Sequence, residues 1–598
     1  MIKKYLLLSS ILLALLSVSF MTRPGSFQEN ANQPVDVIVA KPLPQSFFYA
    51  NKDTFFIREH FDLQGRTISI PPNTSLLFDG GSLRNGTIAF SNSSILGKPR
   101  VLANVEGTIA NKVLCIDWFL DSNDVYQLFE RGIYKLADNH ILSFSTKDYV
   151  MSSLLNADND LVLHNVVFDG NNCVITATDN KNVLHSMVPL DMSSNIIIKN
   201  MTLDGNAGVL RSNTEGSRHN LRIVRVKDLQ LLNVISKNAF TDGFCINGAE
   251  NVLMENCTAS HNGRQGLSVV KCKKTRIRNC TFEGTYRTAP MSGVDIEPNN
   301  PQTEGVNILF TNCRFLNNKS CGLLVSFHEG KTCGARKTVS VDSCYFSNNE
   351  SGIVLQSAER SGCGYVKVSN SVVEDTKFVP LTTNWAKHKT PKVTISNIIL
   401  HNGNLNDNRS SKQLLAINAN KRNTGNIHID GIKILQDPEY ASKVNYGIYL
   451  NSSSGVISDV SLQNLDINLN RDNSLNSGVY DIRENAAFGD NVKVEYDNPR
   501  VMTLSSPSHA NRDKGLLSNY SVARGANLDL KSSFNLDVRP SKVTFTIPSG
   551  SSMTNVFSSK HKIKYSDGKI YTSSDVFDRS FWVERKGKDY IIHFSTSE

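Results

Sequence analysis

The sequence predicts an all-β chain wound as a right-handed parallel β-helix, a solenoid with a small appended C-terminal β module. Three observations predict it. A phrase of aliphatics, one Asn (once Ser) and further aliphatics occurs nine times. The shortest step between successive Asn positions is 23 residues, and a second, Gly-led phrase has its fourth residue ten before that Asn in the shortest coils. Self-similarity at a fixed period of this size marks a repeat architecture.

The Asn phrase is centred on Asn165, Asn200, Asn233, Asn256, Asn279, Asn312, Ser343, Asn370 and Asn397, at steps of 35, 33, 23, 23, 33, 31, 27 and 27. A floor of 23 with variable excess is what one coil plus loop insertions gives. Asn suits the bend between two short strands because it tolerates left-handed backbone angles and its amide bonds nearby backbone groups. Stacked at a strand spacing of about 4.8 Å, such side chains form a ladder. The Gly phrase begins at Gly243, Gly266, Gly293, Gly322 and Gly352. It is a strand entering after a bend, with its second and fourth residues inward and its third and fifth toward solvent.

Eleven cysteines are present, and Cys257, Cys280, Cys313 and Cys344 each follow the ladder position directly. That recurrence marks them as small buried side chains in a stack, where parallel Cβ vectors suit a disulfide poorly. No CxxC or CxxH pair accompanies them, which argues against a metal site there.

The coils are expected over residues 60–490, with irregular first coils and a cap at 61–90. Alternating residues in Lys542–Ile547 and Tyr590–Phe594 predict an antiparallel β module within 491–598. Residues 1–21 have the form of a signal peptide, with basic Lys3 and Lys4 and an apolar run from Tyr5 to Phe20, and 22–59 are a lead-in. The expected location is therefore secreted or periplasmic, with no membrane span after cleavage; a retained N-terminal anchor is the alternative. With 40% hydrophobic and 20% charged residues, the chain is outside the disordered class. Net charge falls from +9 to +7 without Lys3 and Lys4, and no basic run with interleaved aromatics points to nucleic acid. A polysaccharide partner, acidic or not, is compatible with that charge.

The run His261–Val269, containing Arg264 and Gln265, followed by Gly293–Asn299, containing Asp295 and Glu297, resembles bacterial right-handed β-helix repeat proteins of the pectate lyase-like superfamily. The resemblance covers about residues 60–490. It implies secreted polysaccharide lyases, hydrolases and epimerases, and no single reaction. The Asn-Thr-Asp, Asp-Asp, Gly-His-Gly and Arg-Ile-Lys set of the superfamily's polygalacturonases is not present in order.

Registering the coils puts Arg222, Cys245, Ser268 and Asp295 at the third, outward position. Val224, Asn247, Val270 and Glu297 take the fifth, and His219, Asp242, Gln265 and Ser292 stand before the Gly. Asp295 and Glu297 are the candidate catalytic pair, with Asp242 as a third carboxylate. At i and i+2 their Cα atoms stand about 6.6 Å apart on one face, and inverting glycosidases hold their carboxyls about 6.5–9.5 Å apart. Arg264 is the candidate fork for a substrate carboxylate or sulfate. Gln265, His261, His219, Arg222, Asn247 and His328 complete the candidate substrate contacts. Ordinary solvated surface also supplies such acidic pairs, and His219 and His261 also fit as loop residues. Cleavage of glycosidic bonds by hydrolysis needs no cofactor. The alternatives are a lyase acting on a uronate-containing glycan with Ca²⁺ held by Asp242, Asp295 and Glu297, and a non-catalytic glycan-binding or adhesin-type solenoid.

Overall fold

The computed structural model describes residues 40–470 apart from 51, 154, 157–159, 179–184, 209–217, 298–305, 328–336, 358–363, 387–391, 407–411 and 421; past 470 it describes the backbone of strands. The expected signal segment lies outside the described residues. Winding begins before residue 60, since Thr54–Ile57 pairs in parallel with Ser75–Phe78, which pairs with Ser94 to Gly97. Short helices at Ile116–Phe119, Tyr126–Glu130 and Ile133–Leu136 follow this first group of coils in sequence. Ile141–Ser143 then joins the main solenoid at Val167 to Asp169. Parallel pairing runs through the expected boundary at 490, as far as Asn527–Leu528. Antiparallel pairing follows, with Lys542–Ile547 and Ser580–Lys586 both against Asp589–Ser595. No helix among the described residues is long and apolar enough to cross a membrane.

Alternation along each strand makes the core. Ile198, Leu231, Met254, Ile277, Phe310, Val341, Val368, Ile395, Ile429 and Leu462 stack one per coil, all buried. On another wall Phe282, Phe315 and Phe346 stack in the same way, the last two rings 4.3 Å apart and 5° from parallel.

The bends follow from residue chemistry. All nine ladder positions have positive φ, between 51° at Asn370 and 59° at Asn165. Asn233 donates to Asn200 at 3.0 Å, Asn312 to Asn279 at 2.8 Å and Asn397 to Asn370 at 3.2 Å. These amides lie on the outer surface, Asn200 alone being half-buried. The buried ladder is at the other bend. There Asn318 donates to Asn349 at 2.8 Å, and Asn262, Asn318 and Asn349 satisfy backbone groups inside the coil. Sequence inspection ran past them because Asn318 and Asn349 sit beside a second Asn. The four stacked cysteines are buried and free, and Ser371 continues their row, its Oγ accepting the Cys344 N–H at 3.1 Å.

Glycine leads each strand because there is no room for Cβ. At Gly243, Gly266 and Gly293 an added Cβ meets the carbonyl oxygen of the next glycine at 2.9, 2.6 and 2.7 Å.

Candidate functional site

Strand pairing places Arg222, Cys245, Ser268, Asp295, Leu324 and Val354 as neighbours on successive coils, in the expected register. The row before the glycines is also continuous. The N–H groups of Asn220, Gly243 and Gly266 bond the carbonyls of Asp242, Gln265 and Ser292 at 3.2, 3.0 and 3.3 Å. Exposure differs from expectation. Asp295 is 2% exposed, Asp242 and Gln265 are as deeply buried, and His219 is 6% exposed. Arg264 lies back along Asp242, and the turn at 284–293 doubles onto Gly263, whose carbonyl accepts the N–H groups of Arg287 and Thr288 at 2.8 Å each. What the period of two describes as an open strand face is a mostly buried polar layer, in which Arg222, Cys245 and Glu297 stay half-buried.

Asp242 organises one half of that layer. Arg264 Nε and Nη2 donate to its two carboxylate oxygens at 2.7 and 2.6 Å, and His219 Nδ1 stands 3.3 Å from Oδ2. Burial alone raises the Asp242 pKa, but His219 and Arg264 outweigh it and hold the carboxyl below its ordinary value. Burial works against charge on His219, yet Cys245 and Asp242 outweigh it and lift the imidazole to about 10. A bidentate guanidinium on a fully buried carboxylate is a strong, directional pair. The Arg264 fork, expected to face a substrate anion, is engaged by Asp242, and Asp242 is a buried, ion-paired carboxylate.

Asp295 organises the other half. Gln265 Nε2 donates to its Oδ2, while Asp295 Oδ1 and the side-chain Oε1 of Gln265 are buried with no hydrogen-bond partner among the described residues. Burial first, then the charges of Glu297 and Asp242, push its carboxyl up to about 7, against the opposing pull of Arg264 and Gln265. Glu297 lies just past the end of Val294–Ile296, half-buried, its N–H bonded to the Val269 carbonyl at 2.9 Å.

The remaining candidates disperse. Arg222 pairs with Asp160 at 2.6 Å. Asn247 is half-buried, its carbonyl accepting the Arg225 N–H at 2.8 Å. A bulge sets Lys271 and not Val270 opposite Asn247. His261 occupies an exposed left-handed bend position, φ 53°, with its ring against Gly284 and Nδ1 2.6 Å from Ser260 Oγ. His328 lies outside the described residues. The three carboxylates offered for Ca²⁺ do not gather as one ligand set. Among the described residues the set that forms is His219, Asp242 and Cys245, whose ligand atoms all lie within 4.8 Å of one another. Cys245 is the residue sequence inspection passed over; its signal was its place in the third-position row.

A family model described as right handed beta helix region matches residues 154–355 and 226–404. The curated proteins give no match. Among solved structures, the Azotobacter vinelandii mannuronan C-5 epimerase AlgE4 A-module is 16% identical, covering 55% of this chain and 86% of its own, with a TM-score of 0.43. Endo-xylogalacturonan hydrolase from Aspergillus tubingensis is 12% identical, with coverages of 60% and 95% and a TM-score of 0.38. PfbA, a surface adhesin of Streptococcus pneumoniae, is 13% identical, with coverages of 69% and 83% and a TM-score of 0.33. Stacked parallel coils and the matched family region agree: the chain carries a right-handed parallel β-helix.

Proposed function

We propose that this protein is a carbohydrate-active enzyme, exported from the cytoplasm, that hydrolyses glycosidic bonds of a polysaccharide, with Asp295 as general acid and Glu297 as its partner base. One observation carries the proposal: the carboxyl of Asp295 is buried, holds a proton up to about pH 7, and keeps one oxygen with no hydrogen-bond partner among the described residues. A carboxylic acid kept neutral near neutrality, in a layer of ionisable groups, is what acid catalysis at neutral pH requires. Export follows from Lys3, Lys4 and the apolar run after them. Elimination has less support, because Arg264 is engaged with Asp242 and His261 faces out from a bend, so neither is placed as its base.

A polysaccharide panel, read both as new reducing ends and as ultraviolet absorbance of unsaturated product, tests this. Reducing ends without absorbance are expected; absorbance, or binding with no cleavage, overturns hydrolysis. Asp295→Asn and Glu297→Gln should each lower turnover by about 10²–10⁴. The rate should fall as pH rises through about 7, where Asp295 gives up its proton. Stability supplies a control. The folded pKa lies above the ordinary 3.8, so the native state binds the extra proton. Stability from Asp295 is therefore full at low pH and is lost as pH rises toward 7. At pH 8, Asp295→Asn should melt no lower than wild type while remaining inactive.

A further inference from the structure

Beside the acid, and independent of it, three unlike donors converge. His219 opens the strand His219–Val224, Asp242 stands in the same register one coil on, and Cys245 pairs with Arg222 across the same two coils. One nitrogen, one carboxylate oxygen and one sulfur lie mutually within 4.8 Å, two of the residues buried and Cys245 half-buried. Parallel pairing creates this meeting, since strands about 4.8 Å apart bring side chains of equal register together.

We propose that His219, Asp242 and Cys245 bind one zinc-type divalent ion, which takes the place of the proton that His219 shares with Asp242, with water in the fourth position. The donor set selects the metal. Calcium and magnesium take oxygen ligands, whereas mixed nitrogen, oxygen and thiolate donors suit zinc and its neighbours. Three protein ligands, rather than four, are the pattern of sites that keep an exchangeable position. The surroundings orient the ligands as outer-shell groups do in metal sites. The Arg264 fork fixes the plane of the Asp242 carboxylate. The proposal requires nothing of Asp295 and survives if the hydrolase assignment fails.

The test uses the full chain, stripped with a chelator and then titrated with Zn²⁺ alone or Co²⁺ alone. One ion per chain is expected, and the cobalt form should show the near-ultraviolet charge-transfer band of a thiolate ligand together with the intense visible bands of a four-coordinate site. Cys245→Ala should lose the charge-transfer band, and Cys280→Ala, at a buried thiol of the core stack, should keep it. Absence of stoichiometric metal in the wild-type chain overturns the site, as does a wild-type cobalt spectrum lacking the thiolate band. Retention of the band in Cys245→Ala does so as well. Should Cys245→Ala not fold, as judged by circular dichroism, the wild-type cobalt spectrum decides alone.

Discussion

Asn279 holds φ at 55° with its amide on the surface, where it accepts from Asn312 at 2.8 Å. The left-handed backbone, more than that exposed bond, is what the position demands. Asn279→Ala should lower stability by about 1–2 kcal/mol, while Asn279→Gly, free of the Cβ penalty, should lose much less. Equal losses by both in denaturant titration would place the energy in the amide ladder instead. The outer bends were legible because left-handed geometry restricts residue choice so sharply that Asn recurs. The buried character of Asp242 and Asp295 was not. A strand's period of two says which way a side chain leaves the backbone, but nothing of what later folds across it. Asp242 is covered by Arg264, 22 residues on, and only the coil geometry joins them.

At the scale of the strand, the Phe wall shows how the core is held. Phe315 stacks on Phe282 at 5.4 Å and on Phe346 at 4.3 Å, and all three are fully buried. Phe315→Ala opens a cavity between two fixed rings and should destabilise by about 3–5 kcal/mol, measured from the denaturation midpoint, with Phe315→Leu well below that. The pairing of these strands was legible from the phrase containing Phe282, Phe315 and Phe346. The glycine seam was legible as a bend but not as a packing constraint: the contact that excludes a Cβ at Gly266 comes from the Gly293 carbonyl, at 2.6 Å.

Across the whole molecule, each coil mainly contacts its neighbours, so stability sums along one axis. Residues 234–256 are one complete coil, and their deletion joins Asn233 to Cys257 just as Asn256 joins it now. That deletion should leave a folded, cooperatively melting chain without Asp242 and Cys245, whereas deleting only 234–244 breaks register and should not fold; circular dichroism melts separate the outcomes. Coil length and order were legible from the Asn steps. The site was only partly so, because it joins residues from four successive coils through side chains of unequal reach. The stacked thiols of Cys257, Cys280, Cys313 and Cys344 add a different resource. A bulky alkylating reagent meets each one only when its own coil opens, so the rate of labelling is a clock for that opening. Four such clocks, one per coil and separable by peptide mass, tell whether this solenoid breathes from an end or parts in the middle, with no foreign probe introduced.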